Sequence, residues 1–178
     1  LIELLGRAEQ AARQQGNDDL LASVLCTQSR VGLRSDPEAS RQKNAAGNAA
    51  LRRLRNPSIE STASCARADA LLLELDGDRQ GAIETMERTL HAVEADSLAT
   101  LPDRMRIANE LARLHYNARN LDRAWQLNER TLQQMRGAGL GQSAGYLVIA
   151  MNGAVLLQTM GEVRRAHDVQ QALLQRVQ

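Results

Sequence analysis

A chain that returns to the same words at a fixed interval has to be built from one unit used several times, and this chain does so. Residues 77–90 read GDRQGAIETMERTL; from Ala82 the sequence runs A-IETM-ERTL, and from Ala124 it runs A-WQLN-ERTL. Glu-Arg-Thr-Leu therefore returns in phase after 42 residues (124 − 82). Ala166 stands another 42 on (166 − 124) and follows Gly161-Glu162 much as Ala82 follows Gly77-Asp78. A fixed period with a helix-ending glycine at one phase is the mark of a helical repeat array.

The 178 residues contain no Phe, one Trp (Trp125) and two Tyr (Tyr116 and Tyr146). Burial must then come from Leu, Ala, Val, Ile and Met, which suits closely approaching helices and not a β-sandwich. The net charge of +1 lacks the electrostatic footprint of a dedicated nucleic-acid binder. Lys43 is the only lysine, and this Arg-rich, Lys-poor style suggests a GC-rich bacterial source. Cys26 and Cys65 each lack a nearby second ligand, and they read as reduced packing cysteines, with a disulfide between neighbouring repeats as the alternative. No run approaches the roughly 20 apolar residues of a membrane span, and no leader peptide is visible; a cytoplasmic location is expected.

Along the chain, 1–15 forms a helix through Ile2, Leu5, Ala8 and Ala12 and stops at Gly16-Asn17. Residues 18–34 form the next, with Leu21, Leu25, Cys26 and Val31 toward the core. Asp36-Pro37 then starts a helix that runs to about Arg55. Three cleaner pairs follow, 59–76 with 79–95, 101–118 with 121–136, and 143–160 with 162–177. Phased on one small residue of each second helix, the pairs register on Ala39, Ala82, Ala124 and Ala166, at intervals of 43, 42 and 42. The expected organisation is one repeat domain over 1–178: a trailing helix at 1–17, then pairs at 18–57, 58–100, 101–140 and 141–178. The last helix still carries Val169, Leu173, Leu174 and Val177, so the chain is expected to be part of a longer protein in which further repeats or another domain follow.

The third pair holds Leu111-Ala112-Arg113-Leu114-His115-Tyr116 and then Arg119-Asn120-Leu121-Asp122-Arg123-Ala124. This resembles the tetratricopeptide repeat (TPR) in its long form, as in kinesin-light-chain-like proteins, whose pattern is L-A-x-L-Y-Y-x-x-G-x-Y-x-x-A. Here His115 replaces the first Tyr, Arg119 the Gly and Leu121 the second aromatic. The second pair offers Ala70, Leu73, Gly77, Asp78 and Ala82; the fourth offers Gly153 to Leu157, Gly161 and Ala166. HEAT and armadillo arrays share the period, but the small-residue and Gly-Asp phases fit the TPR pattern better. The resemblance implies an all-α, right-handed superhelical solenoid of about four antiparallel helix pairs with one leading helix.

The same resemblance places a partner on the groove lined by the first helix of each pair. The family's groove asparagines precede the Leu-Ala or Gly-Ala step, which gives Asn109 and Asn152. On the same faces follow Arg113, Tyr116 and Asn117, then Val155, Gln158 and Thr159, while Arg67 and Leu71 come from the second pair. An Asn offers a peptide bond both donor and acceptor, and an Arg can take a carboxylate at two points.

Other chemistry is not spelled out. His91, His115 and His167 fall at unrelated phases, with no HExxH and no Cys/His cluster of metal spacing; His115 reads as packing. The glycine-rich run 137–145 follows a helix, lacks a closing Lys-Ser/Thr and reads as the junction of two repeats. The carboxylates between Asp69 and Asp96 read as a solvated face, and so do Arg52, Arg53 and Arg55 with Arg41 and Lys43 upstream. No catalytic residue, cofactor or metal is expected. The expectation is a non-catalytic protein- or peptide-binding module of a larger bacterial signalling protein, in the style of repeats attached to Ser/Thr kinases. Two alternatives stand beside it: the effector-sensing part of a TPR transcription regulator, with a closed pocket lined by Met151, Val155 and Leu71, or a self-assembly element associating through open apolar ends.

Overall fold

The computed structural model describes residues 1–177, with side chains through Gln175. The Val177 side chain and Gln178, both named in the sequence reading, lie outside the described residues. Among those described there are nine helices and no strand: α1 (Ile2–Gln14), α2 (Asp18–Gly32), α3 (Pro37–Arg53), α4 (Ile59–Leu75), α5 (Arg79–Ala95), α6 (Leu101–Asn117), α7 (Leu121–Gly137), α8 (Ala144–Thr159) and α9 (Val163–Val177). Boundaries agree with the sequence reading to within two residues. The chain divides into two compact units, Leu1–Ala99 with α1 to α5 and Thr100–Gln178 with α6 to α9.

Side chains at the helix starts explain where the helices begin. Asn17 Oδ1 accepts the Leu20 N–H at 3.0 Å, Asp36 Oδ1 the Ala39 N–H at 2.9 Å, and Asp78 Oδ1 the Gly81 N–H at 2.8 Å. Thr100 and Asp103 form a reciprocal capping box at the head of α6. Each of these satisfies donors that the first helical turn leaves without an intrahelical acceptor.

The helix ends explain the period. At the turn of each later pair one residue takes a left-handed conformation: Gly77 (φ 86°), Arg119 (φ 63°) and Gly161 (φ 83°), spaced by 42. The next amide reaches back to the helix at 2.8 Å in all three, Asp78 N–H to Leu73, Asn120 N–H to His115 and Glu162 N–H to Leu157. This is the Schellman arrangement, and glycine suits it because it has no Cβ to collide with the backbone. Arg119 adopts the same φ with a side chain, at a cost on the order of 1 kcal/mol. Arg119→Gly is therefore expected to stabilise unit 2 by about 0.5–1 kcal/mol, less what glycine adds to the unfolded chain's freedom. Thermal melting followed by Trp125 fluorescence checks it; a lowered midpoint would mean the Arg119 side chain contributes more than its backbone strain costs.

The first pair corrects the register. Ala82, Ala124 and Ala166 are completely buried, but Ala39 is exposed and Ser40 is buried. Ser40 is 42 residues before Ala82 (82 − 40), so the one-residue slip disappears and all intervals are 42. Ser40 faces Gly32, whose missing Cβ would sit 3.2 Å from Ser40 Oγ. Two more core expectations fail: Val31 is exposed on α2, and Ile2 is exposed on α1, where Glu9 and Ala12 are the buried residues.

In unit 1, α2 packs against α1, α3 and α4, and α4 also packs against α5. The α2–α3–α4 core is made of Ala22, Cys26, Ala50, Cys65 and Ala68, with Leu21 and Leu51 at its margin. Cys26 and Cys65 are not reduced packing cysteines. They form a disulfide between α2 and α4, with Cα atoms 4.9 Å apart and both residues buried. Glu9 is buried as well and gathers Lys43 at 2.9 Å, Gln28 at 2.8 Å and Arg13 at 2.7 Å. Burial alone would raise its pKa, but Lys43, Gln28 and Arg13 together hold it below the ordinary value.

Most of the charged residues read as a solvated face are exposed, and several of them are also paired. Arg53 grips Asp18 at two points, 2.8 and 2.6 Å, Arg41 pairs with Asp76, and Asp69 accepts from Asn44 and Asn48 at 2.6 and 2.9 Å. Asp69 is thus a half-buried bridge from α4 to α3 and not part of a wetted row.

In unit 2, α7 packs against both α6 and α8, and α8 against α9. Met135, Tyr146, Ile149 and Ala150 form a core cluster, with Met105, Leu132, Leu140 and Leu173 against it. His115 is buried in α6, consistent with packing. The glycine-rich run is the α7–α8 connection, with Gly139 at φ 74°. Leu174 is exposed on α9, with Val169 and Leu173 half-buried.

Candidate functional site

Six of the ten residues expected on the groove line one cleft in unit 2. Its volume is about 320 Å³, and its walls are Asn109, Ala112, Arg113, Tyr116 and Asn117 of α6 and Asn152, Val155 and Leu156 of α8. Asn128 of α7 completes the lining. Gln158 is exposed on α8 but does not line the cleft. Arg67 and Leu71 lie half-buried on α4 in unit 1, 42 residues before Asn109 and Arg113 (109 − 67 and 113 − 71).

The two walls differ in kind. The α6 wall is polar: Arg113 Nε and Nη2 both donate to Glu110 Oε1, at 3.1 and 2.8 Å, which fixes the guanidinium one turn from Asn109. The α8 wall belongs to a helix without a single charged residue, AGYLVIAMNGAVLLQT. An α-helix that is apolar all round cannot bury every face in a two-layer packing. Here the excess surfaces at Val148, Met151 and Val155, spaced for one face, with Met151 61% exposed.

Two lateral hydrogen bonds tie the walls. Asn152 Nδ2 donates to Asn109 Oδ1 at 3.1 Å, and the Tyr116 and Thr159 hydroxyls meet at 3.4 Å. Both pairs are 43 residues apart, one more than the period. The extra residue lies in the α7–α8 connection, because the caps Thr100 and Ser143 are 43 apart while the turns Arg119 and Gly161 are 42 apart. Asn109 keeps its amide donors and Asn152 keeps its carbonyl, so a peptide bond laid along the cleft would find both kinds of partner.

Asn128 is the polar residue of the cleft that the sequence reading missed. It is 3% exposed, and its Nδ2 donates to the Ile149 carbonyl at 2.8 Å. Its Oδ1 has no hydrogen-bond partner and lies where a Cβ on Gly153 would be only 2.5 Å away. Gly153 therefore makes the space into which the α7 amide fits. Asn128 follows Asn44 by two periods (128 − 44 = 84), and Gly153 follows Asp69 by the same 84, so the Asn44–Asp69 hydrogen bond of unit 1 shows what this phase does when the glycine is an acid. That recurrence was the available signal. Among the described residues no group of three or more His, Cys, Asp or Glu side chains is placed to hold a metal ion. No described helix is long and apolar enough to cross a membrane.

No family model matches the sequence, and no curated protein matches it. Solved structures do. The crystal structure of BtubC (BKLC) from P. vanneervenii superposes with a TM-score of 0.81 over 98% of this chain and 71% of that one, at 18% identity. Kinesin-light-chain nearly identical TPR-like repeats from Podosopora anserina give 0.67, covering 98% of this chain and 84% of theirs at 19% identity. A point-substituted form of the same repeats gives 0.69 at the same coverage and identity.

The fold is the TPR-like helical repeat.

As in such repeats, successive helices pack on one another, α2 on α3, α4 on α5, α6 on α7 and α8 on α9. The cleft lies between the first helices of two successive TPR-like pairs, floored by the second helix of the earlier one.

Proposed function

We propose that this chain is a non-catalytic protein- or peptide-binding TPR module of a larger bacterial signalling or regulatory protein, and that the α6–α8 cleft holds an extended segment of the partner. The observation that carries this reading is the pairing of Asn109 with Asn152 across a cleft with one polar and one apolar wall. Amide groups at the rim suit a peptide backbone, and the exposed Val155 suits an apolar side chain of an extended strand. The effector-sensing alternative calls for a closed pocket lined by Met151, Val155 and Leu71. Met151 points to solvent and does not line the cleft, so the peptide reading is favoured.

The test is a peptide-display selection on the chain, with the selected peptides measured by fluorescence anisotropy. Asn109→Ala combined with Arg113→Ala and Asn152→Ala should weaken them at least tenfold, a loss of about 1.4 kcal/mol, with helicity unchanged by circular dichroism. Peptides that bind this folded variant as tightly as the parent would remove the cleft from consideration.

A further inference from the structure

The disulfide bears on where the molecule works, independently of what fills the cleft. Cys26 and Cys65 sit at the crossing of α2 and α4, completely enclosed by Ala22, Ala50 and Ala68. Their Cα atoms are 4.9 Å apart, well inside the span a disulfide bridges. Two unbonded sulfurs need about 3.5–4.0 Å between them, so reduction asks this enclosed crossing for additional room. Behind Cys26 lies the α3 backbone: a Cβ on Gly47 would be 2.5 Å from Cys26 Sγ. Beside Cys65, its sulfur is already 3.6 Å from the Ala22 carbonyl oxygen. Both sulfurs are closely bordered by α2 and α3. The packing is thus built around the bond and not around two thiols.

We infer that Cys26–Cys65 is a permanent structural cross-link acquired in an oxidising compartment, so that this module meets its partner in a periplasm, a secretory lumen or the extracellular space. Mesophilic cytosol keeps such pairs reduced, and the cytoplasmic location expected from the sequence had no buried disulfide to accommodate. The bond forms by exchange with a thiol–disulfide oxidoreductase. One cysteine thiolate attacks a sulfur of the oxidant's disulfide and expels its other sulfur as thiolate. The second cysteine then attacks the mixed disulfide, closing Cys26–Cys65 and releasing the oxidant as a dithiol. Two electrons and two protons leave the pair and are gained by the oxidant. Because both sulfurs end up buried, exchange precedes the final packing of α2 on α4.

Two measurements test this. The full-length protein is taken from its own cells under immediate acid quench, denatured, and alkylated with a mass tag before and after reduction. Cys26 and Cys65 should carry no tag before reduction and both carry one after it; tags on both without reduction would overturn the compartment. In parallel the chain is produced in a reducing cytoplasm and by export, and the Tm of each is compared with that of Cys26→Ser combined with Cys65→Ser. The exported form should melt about 10 °C above both the double variant and the reduced form. Equal midpoints for oxidised and reduced chains would show that the packing accepts two thiols and would overturn the structural role.

Discussion

Gly47→Ala is expected to destabilise unit 1 by about 2 kcal/mol, although the same change in most helices does the reverse. A glycine inside a helix costs roughly 0.5–1 kcal/mol against alanine, because it has more backbone freedom to lose. Gly47 lies in the interior of α3 and is buried. A methyl group there would meet Cys26 Sγ at 2.5 Å, the Ala22 carbonyl oxygen at 3.2 Å and the Cys26 nitrogen at 3.3 Å. Two of these are backbone atoms of α2, and the third is tethered through its disulfide to α4. None can retract like the end of a flexible side chain, so α3 must move as a whole, and overpacking of this kind costs about 1–3 kcal/mol. Overpacking therefore outweighs the propensity gain. Gly6→Ala is the control, because Gly6 sits in α1 with nothing within 4 Å of its would-be Cβ; it should stabilise by roughly 0.5 kcal/mol. Urea titration followed by circular dichroism compares the two, and a gain in stability from both would rule out the close approach at Gly47.

Gly153→Ala should cost unit 2 about as much, through a polar clash. Its Cβ would be 2.5 Å from Asn128 Oδ1 and 3.5 Å from the Trp125 ring. The Asn128 amide cannot simply rotate, because its nitrogen is committed to the Ile149 carbonyl in a buried setting, and giving up a buried hydrogen bond costs about 1–3 kcal/mol. Asn128→Ala removes the obstructing oxygen. Gly153→Ala combined with Asn128→Ala should therefore be destabilised by less than the sum of the single changes, with a coupling of about 1 kcal/mol or more. Trp125, the only tryptophan, touches the site and reports unit 2 directly by fluorescence. Strict additivity would mean that Gly153 and Asn128 do not share the space described for them.

Much of the fold was legible because the features that set it are local. A turn residue after each first helix, a polar residue beside it and a small residue four places further on can all be read from one stretch of chain. Phase was harder where two small residues stood side by side: Ala39 and Ser40 both fit a tight contact, and only burial separates them. The disulfide stood only as the second alternative for a related reason. Cys26 and Cys65 are 39 residues apart, and an approach of 4.9 Å depends on Gly47, Ala50 and Ala68 from elsewhere in the sequence. The rim of the cleft could be read, since Asn109, Arg113, Asn117 and Asn152 are polar residues at expected phases. The floor could not: an Asn at position 128 looks wetted in one dimension, and it is buried only because Gly153 gives it room. The pattern on α8 gave little contrast between faces, since apolar residues fall on every side of it, and the exposure of Val148 and Met151 follows from packing.

The cross-link in unit 1 also has a mechanical meaning. A chain pulled by its ends lengthens as helices give way, each freed residue adding about 3.3–3.6 Å of contour. The 39-residue separation spanned by Cys26 and Cys65 is withheld from that extension, a reserve of roughly 130 Å. It covers all of α3 with the connections on either side of it, and parts of α2 and α4. Under tension this stretch stays short even when its helices melt. Unit 2, joined across its cleft by hydrogen bonds such as Asn152 to Asn109, has no covalent stop and can give up its full contour length.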